Sequence, residues 1–181
     1  RLKAMPESER GVAQEERDVL IYKVKGRDIE IAIEPDYAKK LDEIRQLRLS
    51  AASLNHSDPQ IAAAAREAAN TLKTHPLRDA VLPEQIIQML PDLPNSANIR
   101  KIELHGFRGR QIDDHGRAIA DANPDFRLRI FSGTRVQDLR ETLQHENGHF
   151  LQFKYASEFS AFESAGKVDN LNEGGFYARR Y

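Results

Sequence analysis

The chain has 181 residues, of which 40% are hydrophobic and 30% charged, and its formal net charge is −1. This balance is typical of one soluble globular domain, and a general nucleic-acid binder would carry a basic excess that this chain lacks. Cysteine is absent, which excludes disulfides and thiolate metal ligands, so any metal must be held by His, Asp or Glu.

The chain shows no membrane or export signal. No apolar run approaches the ~20 residues that span a membrane, and the first residues do not form a signal-peptide pattern. The sequence begins RLKAMPESER, without an initiator Met. We therefore expect a fragment or a processed product, which is cytoplasmic or secreted by a route that needs no signal peptide.

The first half of the chain predicts an arm, a β-hairpin and three helices. Residues 1–17 are rich in charge, which favours a flexible arm. In DVLIYKVKGRDIEIAIEP, alternating apolar residues predict two strands around a Lys-Gly-Arg turn, closed by Pro35. Asp36 is the expected cap of the first helix, and Asp58 and Pro59 are the expected N-cap and first residue of the second. LPEQIIQML predicts a short third helix before the loop PDLPNSAN.

The second half predicts strands and then one long helix. IRKIELHGF and FRLRIFSG have the pattern of strands, joined by the connection RGRQIDDHGRAIADANPD. Thr134 and Gln137 match the Thr-x-x-Gln pattern of a capping box, so the helix is expected over about residues 135–154. Its core-facing stripe consists of Val136, Leu139, Leu143, Phe150 and Phe153.

This order of elements indicates an α+β fold. Within one compact domain, we expect a flexible arm over residues 1–17, a hairpin and helical lobe over 18–98, and a catalytic core over 99–181. The core would contain a small sheet and the long helix.

The long helix contains His145, Glu146 and His149 in the pattern His-Glu-x-x-His. Two histidines four residues apart lie one turn apart on one helix face, so their imidazoles can converge on one ion. Glu146 is rotated by about 100° from His145, near the metal but not obliged to bind it. The arrangement suits a hydrolytic zinc site with Glu146 as general base. The alternative is a solvated helix that matches the pattern by chance.

With this motif, residues 99–166 resemble the zincin metallopeptidases. In that family the matching residues are ligand, base and ligand, and an edge strand that aligns the substrate precedes the active-site helix. FRLRIFSG occupies that strand position here. The His-Glu-x-Gly-His form looks most like lethal-factor-type toxins and bacterial effector proteases. The resemblance implies a zincin-like, gluzincin-type fold, a Zn2+ cofactor and a protein or peptide substrate.

The third zinc ligand is left open. Metzincins carry a third His six residues after the second, but no His follows His149, so a carboxylate must serve. Glu158 is our first choice because it lies on the apolar face of a predicted short helix, where an unpaired carboxylate is costly. Its surroundings also resemble the ligand-bearing segment of lethal-factor-type enzymes. Stabilisation of a first-turn carboxylate by the helix dipole explains Glu158 equally well. Hairpin geometry instead favours Glu163, and the remaining candidates are Asp169, Glu173 and a residue beyond Tyr181.

Further polar residues allow two interpretations each. By resemblance, Tyr177 or Tyr181 takes the place of a tyrosine that stabilises the oxyanion, whereas an aromatic tail packed on the core is the simpler explanation. His115 in IDDHG suits a metal ligand or a turn. Arg127 and Arg129, on the presumed edge strand, suit an acidic substrate or protection of that edge from pairing.

The leading hypothesis is a zinc-dependent endopeptidase, of the toxin or effector type that the motif resembles. Glu146 would be the catalytic residue, and His145, His149 and Glu158 would hold the metal. The alternative is a non-catalytic interaction domain, either a pseudoenzyme with an incomplete metal site or a helical adaptor. A structural zinc clip is a third possibility, which requires four protein ligands and no open water position.

Overall fold

The computed structural model describes residues 20–23, 26–93, 96–113 and 116–156. Within these ranges the first elements are β1 (Leu20–Lys23), β2 (Glu30–Ile33), α1 (Pro35–Ala51), α2 (Pro59–Thr74) and α3 (Pro83–Met89). They are followed by β3 (Lys101–His105), β4 (Arg110–Asp113), β5 (Gly116–Ala118), β6 (Ala120–Asn123), β7 (Arg127–Phe131) and α4 (Leu139–Lys154). Helices and strands thus form the α+β fold that the sequence predicts.

Five strands form one mixed sheet in the order β1-β2-β3-β7-β6. The three central strands run parallel, and β1 and β6 pair antiparallel with their neighbours at the two edges. Strands β4 and β5 pair with each other as a separate hairpin. The predicted hairpin of β1 and β2 is confirmed, and so are the predicted strands β3 and β7.

The hydrophobic core lies against one face of this sheet. Successive side chains of a strand point to opposite faces, and in β3 the buried Ile102 and Leu104 alternate with more exposed neighbours. The register sets Ile102 beside Leu128 of β7, and neither side chain is exposed. Helices α1, α3 and α4 pack apolar side chains into the same cluster, among them Leu41, Ile86 and Leu143. Helix α2 lies against α1.

The starts of the first two helices have different determinants. The side chain of Asp58 accepts a hydrogen bond from the backbone N–H of Gln60, and Pro59 opens α2, so both predictions are confirmed. The predicted cap of α1 is wrong: Glu34 is the N-cap residue, and Pro35 and Asp36 already belong to the helix. Proline has no backbone N–H to satisfy, so it fits the first turn of α1 directly after the strand.

The start of α4 also differs from its prediction. A 3-10 turn at Val136–Asp138 precedes the α-helix, which begins at Leu139. Thr134 does not form the predicted capping box, because its buried hydroxyl donates to the backbone carbonyl of Ile119. A tertiary contact has thus taken the hydroxyl that the capping box would use.

Strand β7, which carries FRLRIFSG, is not an edge strand. It lies between β3 and β6, and the prediction that it forms the edge is therefore wrong. Strand β6 occupies the edge, within a segment that we expected to be only a connection. Its sequence is Ala-Asp-Ala-Asn, and these residues are depleted in strands, so pairing with β7 determines its conformation.

The predicted division at residue 98 remains a prediction. The main sheet takes strands from both sides of that position, since β2 pairs with β3. The predicted arm, residues 1–17, lies outside the described residues. In the described part of the chain, no helix combines the length and the apolarity that a membrane crossing requires.

Candidate functional site

Helix α4 is anchored in the core by residues at helical spacing. Leu139, Leu143 and Phe150 are completely buried, and they recur at the intervals of one helix face. The rings of Phe150 and Phe126 lie 5.8 Å apart between centroids, which ties the second half of the helix to the turn before β7. The helix also contacts strand β6. These contacts fix the position of the motif that α4 carries.

His145 and His149 lie side by side on α4. Their ring centroids are 5.1 Å apart and their planes meet at 82°, and both residues are half-buried. Zinc–nitrogen bonds of about 2.0–2.1 Å at a tetrahedral angle place the centroids of two ligating imidazoles about 5 Å apart. The separation of the two rings therefore matches that of two imidazoles on one zinc ion.

Glu146 is buried, with 7% of its surface exposed, and the neighbouring Asn147 is 5% exposed. A carboxylate that only helps to solvate a helix surface would face water. The burial of these two residues therefore argues against the interpretation of this part of α4 as an ordinary solvated helix. It suits a carboxylate that handles a proton next to a metal site.

Gln152, a residue that the motif does not include, contacts His149. Its Nδ1 lies 3.2 Å from Oε1 of Gln152, and the ring of Phe153 lies 6.4 Å from its own, at an angle of 22°. The spacing of three residues between His149 and Gln152 is the signal that would have revealed the pair, because residues i and i+3 are neighbours on a helix.

No third metal ligand joins the two histidines within the described residues. In that part of the chain, no group of three or more His, Asp or Glu side chains is arranged to hold a metal. The candidate ligands Glu158, Glu163, Asp169 and Glu173 lie outside the described residues, as do Tyr177 and Tyr181. The third ligand therefore remains a prediction.

The sheet face opposite the core carries a network of charged residues. His105, at the end of β3, hydrogen-bonds through Nε2 to Oε2 of Glu103 over 3.1 Å. This bond, with the charges of Arg127 and Lys101, lowers the pKa of Glu103 despite its partial burial. Arg129 forms two hydrogen bonds with Asp121 on β6, and this pairing raises the pKa of Arg129.

Arg127 and Arg129 thus pair with neighbouring strands. The interpretation of both as charges that guard an edge is wrong, because their strand is internal. His56 and His75 flank α2, and each accepts a hydrogen bond from a backbone N–H at Nδ1. His115 lies outside the described residues.

No protein-family model, curated protein or solved structure matches this chain.

Proposed function

We propose that this chain is a zinc-dependent endopeptidase, with His145 and His149 as zinc ligands and Glu146 as the general base. The observation that carries the proposal is the pair of imidazoles, whose centroids are 5.1 Å apart on a helix that also buries Glu146. Two neutral imidazoles, with a carboxylate as third ligand, are one of the donor sets of catalytic zinc sites.

Each of the three residues would have a separate task. His145 and His149 would hold the ion, and zinc, when bound, lowers the pKa of a coordinated water to about 7. The carboxylate of Glu146 would accept a proton from the attacking water and then deliver it to the amine that leaves as the peptide bond breaks. The burial of Glu146 keeps bulk water away from the carboxylate during this transfer.

Strand β6 replaces β7 as the strand that would align a substrate. Among the described strands, β6 pairs only with β7, and it contacts α4. An extended peptide can add to such an edge through main-chain hydrogen bonds. The contact with α4 would bring that peptide close to the motif helix, which supports a peptide rather than a small molecule as substrate.

The third ligand of this proposal is Glu158, by the resemblance and the reasoning from its predicted helix. The resemblance of the motif alone supports a role as a bacterial toxin or effector protease. The alternative function is a non-catalytic interaction domain, either a pseudoenzyme with an incomplete metal site or a helical adaptor. A chain that binds no metal would support this alternative.

The proposal is tested with Glu146→Gln, which removes the base and keeps the shape of the side chain. Peptidase activity of the zinc-loaded chain is measured on a library of quenched fluorescent peptides. We expect a loss of about 10²–10⁴-fold, the usual contribution of a general base, with zinc still bound. Glu141→Gln is the matched control, because Glu141 is an exposed glutamate on the same helix. Activity that survives in Glu146→Gln would show that the mechanism is wrong.

A further inference from the structure

We propose that Gln152 is a positioning residue that holds His149 in the tautomer that binds zinc, an inference that rests on the proposed function. Nδ1 of His149 lies 3.2 Å from Oε1 of Gln152. An amide oxygen only accepts hydrogen bonds, so this contact is a hydrogen bond when Nδ1 carries the proton. The neutral ring then carries its lone pair on Nε2, the nitrogen that can bind a metal.

The spacing of the two residues on the helix favours this arrangement. Gln152 follows His149 by three residues on α4, so the two side chains meet without any distortion of the backbone. The ring of Phe153 lies near that of His149, with centroids 6.4 Å apart and planes at 22°. His145 lies on the same face one turn earlier. Once Nε2 of His149 is oriented, the two imidazoles can bind one shared ion.

The amide of Gln152 can act in two opposite ways. With its oxygen toward His149 it favours the proton on Nδ1, and with its NH2 group toward His149 it would favour the proton on Nε2, which then binds no metal. Glu at this position has only acceptor atoms and retains the first state alone. Leu has neither acceptor nor donor and removes both states.

The two substitutions of Gln152 should therefore have different effects on zinc affinity. Outer-shell partners of a ligating histidine typically contribute 10–100-fold to metal affinity, so Gln152→Leu should weaken zinc binding by about that factor. Gln152→Glu should bind zinc at least as tightly as the unsubstituted chain. Gln144→Leu makes the same chemical change on the same helix, at a residue that forms no hydrogen bond to either imidazole among the described residues, and it should leave the affinity unchanged.

The experiment uses the whole chain and two readouts. Imidazole ¹⁵N NMR spectra of the metal-free protein, recorded above the ordinary histidine pKa of about 6.5, report which nitrogen of His149 carries the proton. Competition with a chromophoric chelator gives the dissociation constant of zinc. We expect the proton on Nδ1 in the unsubstituted chain and in Gln152→Glu, and a shift toward Nε2 with weaker zinc binding in Gln152→Leu.

The outcomes separate this inference from the proposed function. If the unsubstituted chain binds no zinc, the proposed function fails and the inference fails with it. If that chain binds zinc but His149 carries its proton on Nε2, or if Gln152→Leu binds zinc as tightly as the unsubstituted chain, only the role of Gln152 is overturned. The spectrum of the unsubstituted protein decides the tautomer even when a variant does not fold.

Discussion

Phe150 follows the second histidine of the motif, and its replacement tests whether the core holds α4 in place. The side chain is completely buried, and its ring contacts those of Phe126 and Phe153 at centroid distances of 5.8 and 6.5 Å. Removing a fully buried Phe ring by substitution with Ala costs about 3–5 kcal/mol, because apolar contact is lost and a cavity remains. Since native proteins are stable by only about 5–15 kcal/mol, Phe150→Ala should remove a large part of the stability.

The matched control is Phe107→Ala. Phe107 is 49% exposed, although its ring lies 4.9 Å from that of Phe131. Only part of its surface is removed from water, so the same chemical change should cost less than about 2 kcal/mol. Comparison of the two variants isolates the contribution of burial.

Urea unfolding followed by far-ultraviolet circular dichroism measures both variants. The chain contains no Trp, so tryptophan fluorescence cannot report the transition. We expect the midpoint of Phe150→Ala to fall well below that of Phe107→Ala, at an unchanged slope. If Phe150→Ala cost no more than Phe107→Ala, the inference that the core anchors α4 through this ring would be refuted.

Two further predictions concern single polar residues. Asp58→Ala removes the side-chain cap of α2 and should lower the free energy of unfolding by about 1 kcal/mol, whereas Asp58→Asn should change it by a few tenths; equal losses in urea unfolding would contradict the role of the cap. The pKa of Glu103 is lowered in the folded chain, first by its hydrogen bond with His105. Its contribution to stability is therefore full above the unfolded pKa and is lost as the pH falls through the folded pKa. In urea unfolding between about pH 6 and about pH 3, Glu103→Gln should lose less stability than the unsubstituted chain, and parallel pH profiles would contradict this account.

The parts of the structure that the sequence predicts well depend on neighbours along the chain. Asp58 and Pro59 open α2 because a cap and a first-turn proline act within a few residues. The side-by-side placement of His145 and His149 likewise follows from a spacing of four residues on any regular helix. The contact between Gln152 and His149 likewise follows from their spacing of three residues on the helix.

The parts that the sequence does not predict depend on distant contacts. Thr134 has the residue type and spacing of a cap, but its hydroxyl binds the carbonyl of Ile119, fifteen residues earlier in the chain. The position of β7 inside the sheet depends on β6, whose residues have low strand propensity. The identity of the third zinc ligand also depends on a distant contact, because a second segment of the chain must meet α4.

The central claim is that the two histidines of α4 hold zinc, and elemental analysis of the purified chain tests it most directly. We predict about one zinc per chain, with loss of the metal in His145→Ala and in His149→Ala. His56→Ala is the control, since His56 is exposed and its Nδ1 accepts a hydrogen bond from the N–H of Asp58; it should keep the metal. A chain that binds no zinc, or that keeps its zinc in both α4 variants, would contradict the account.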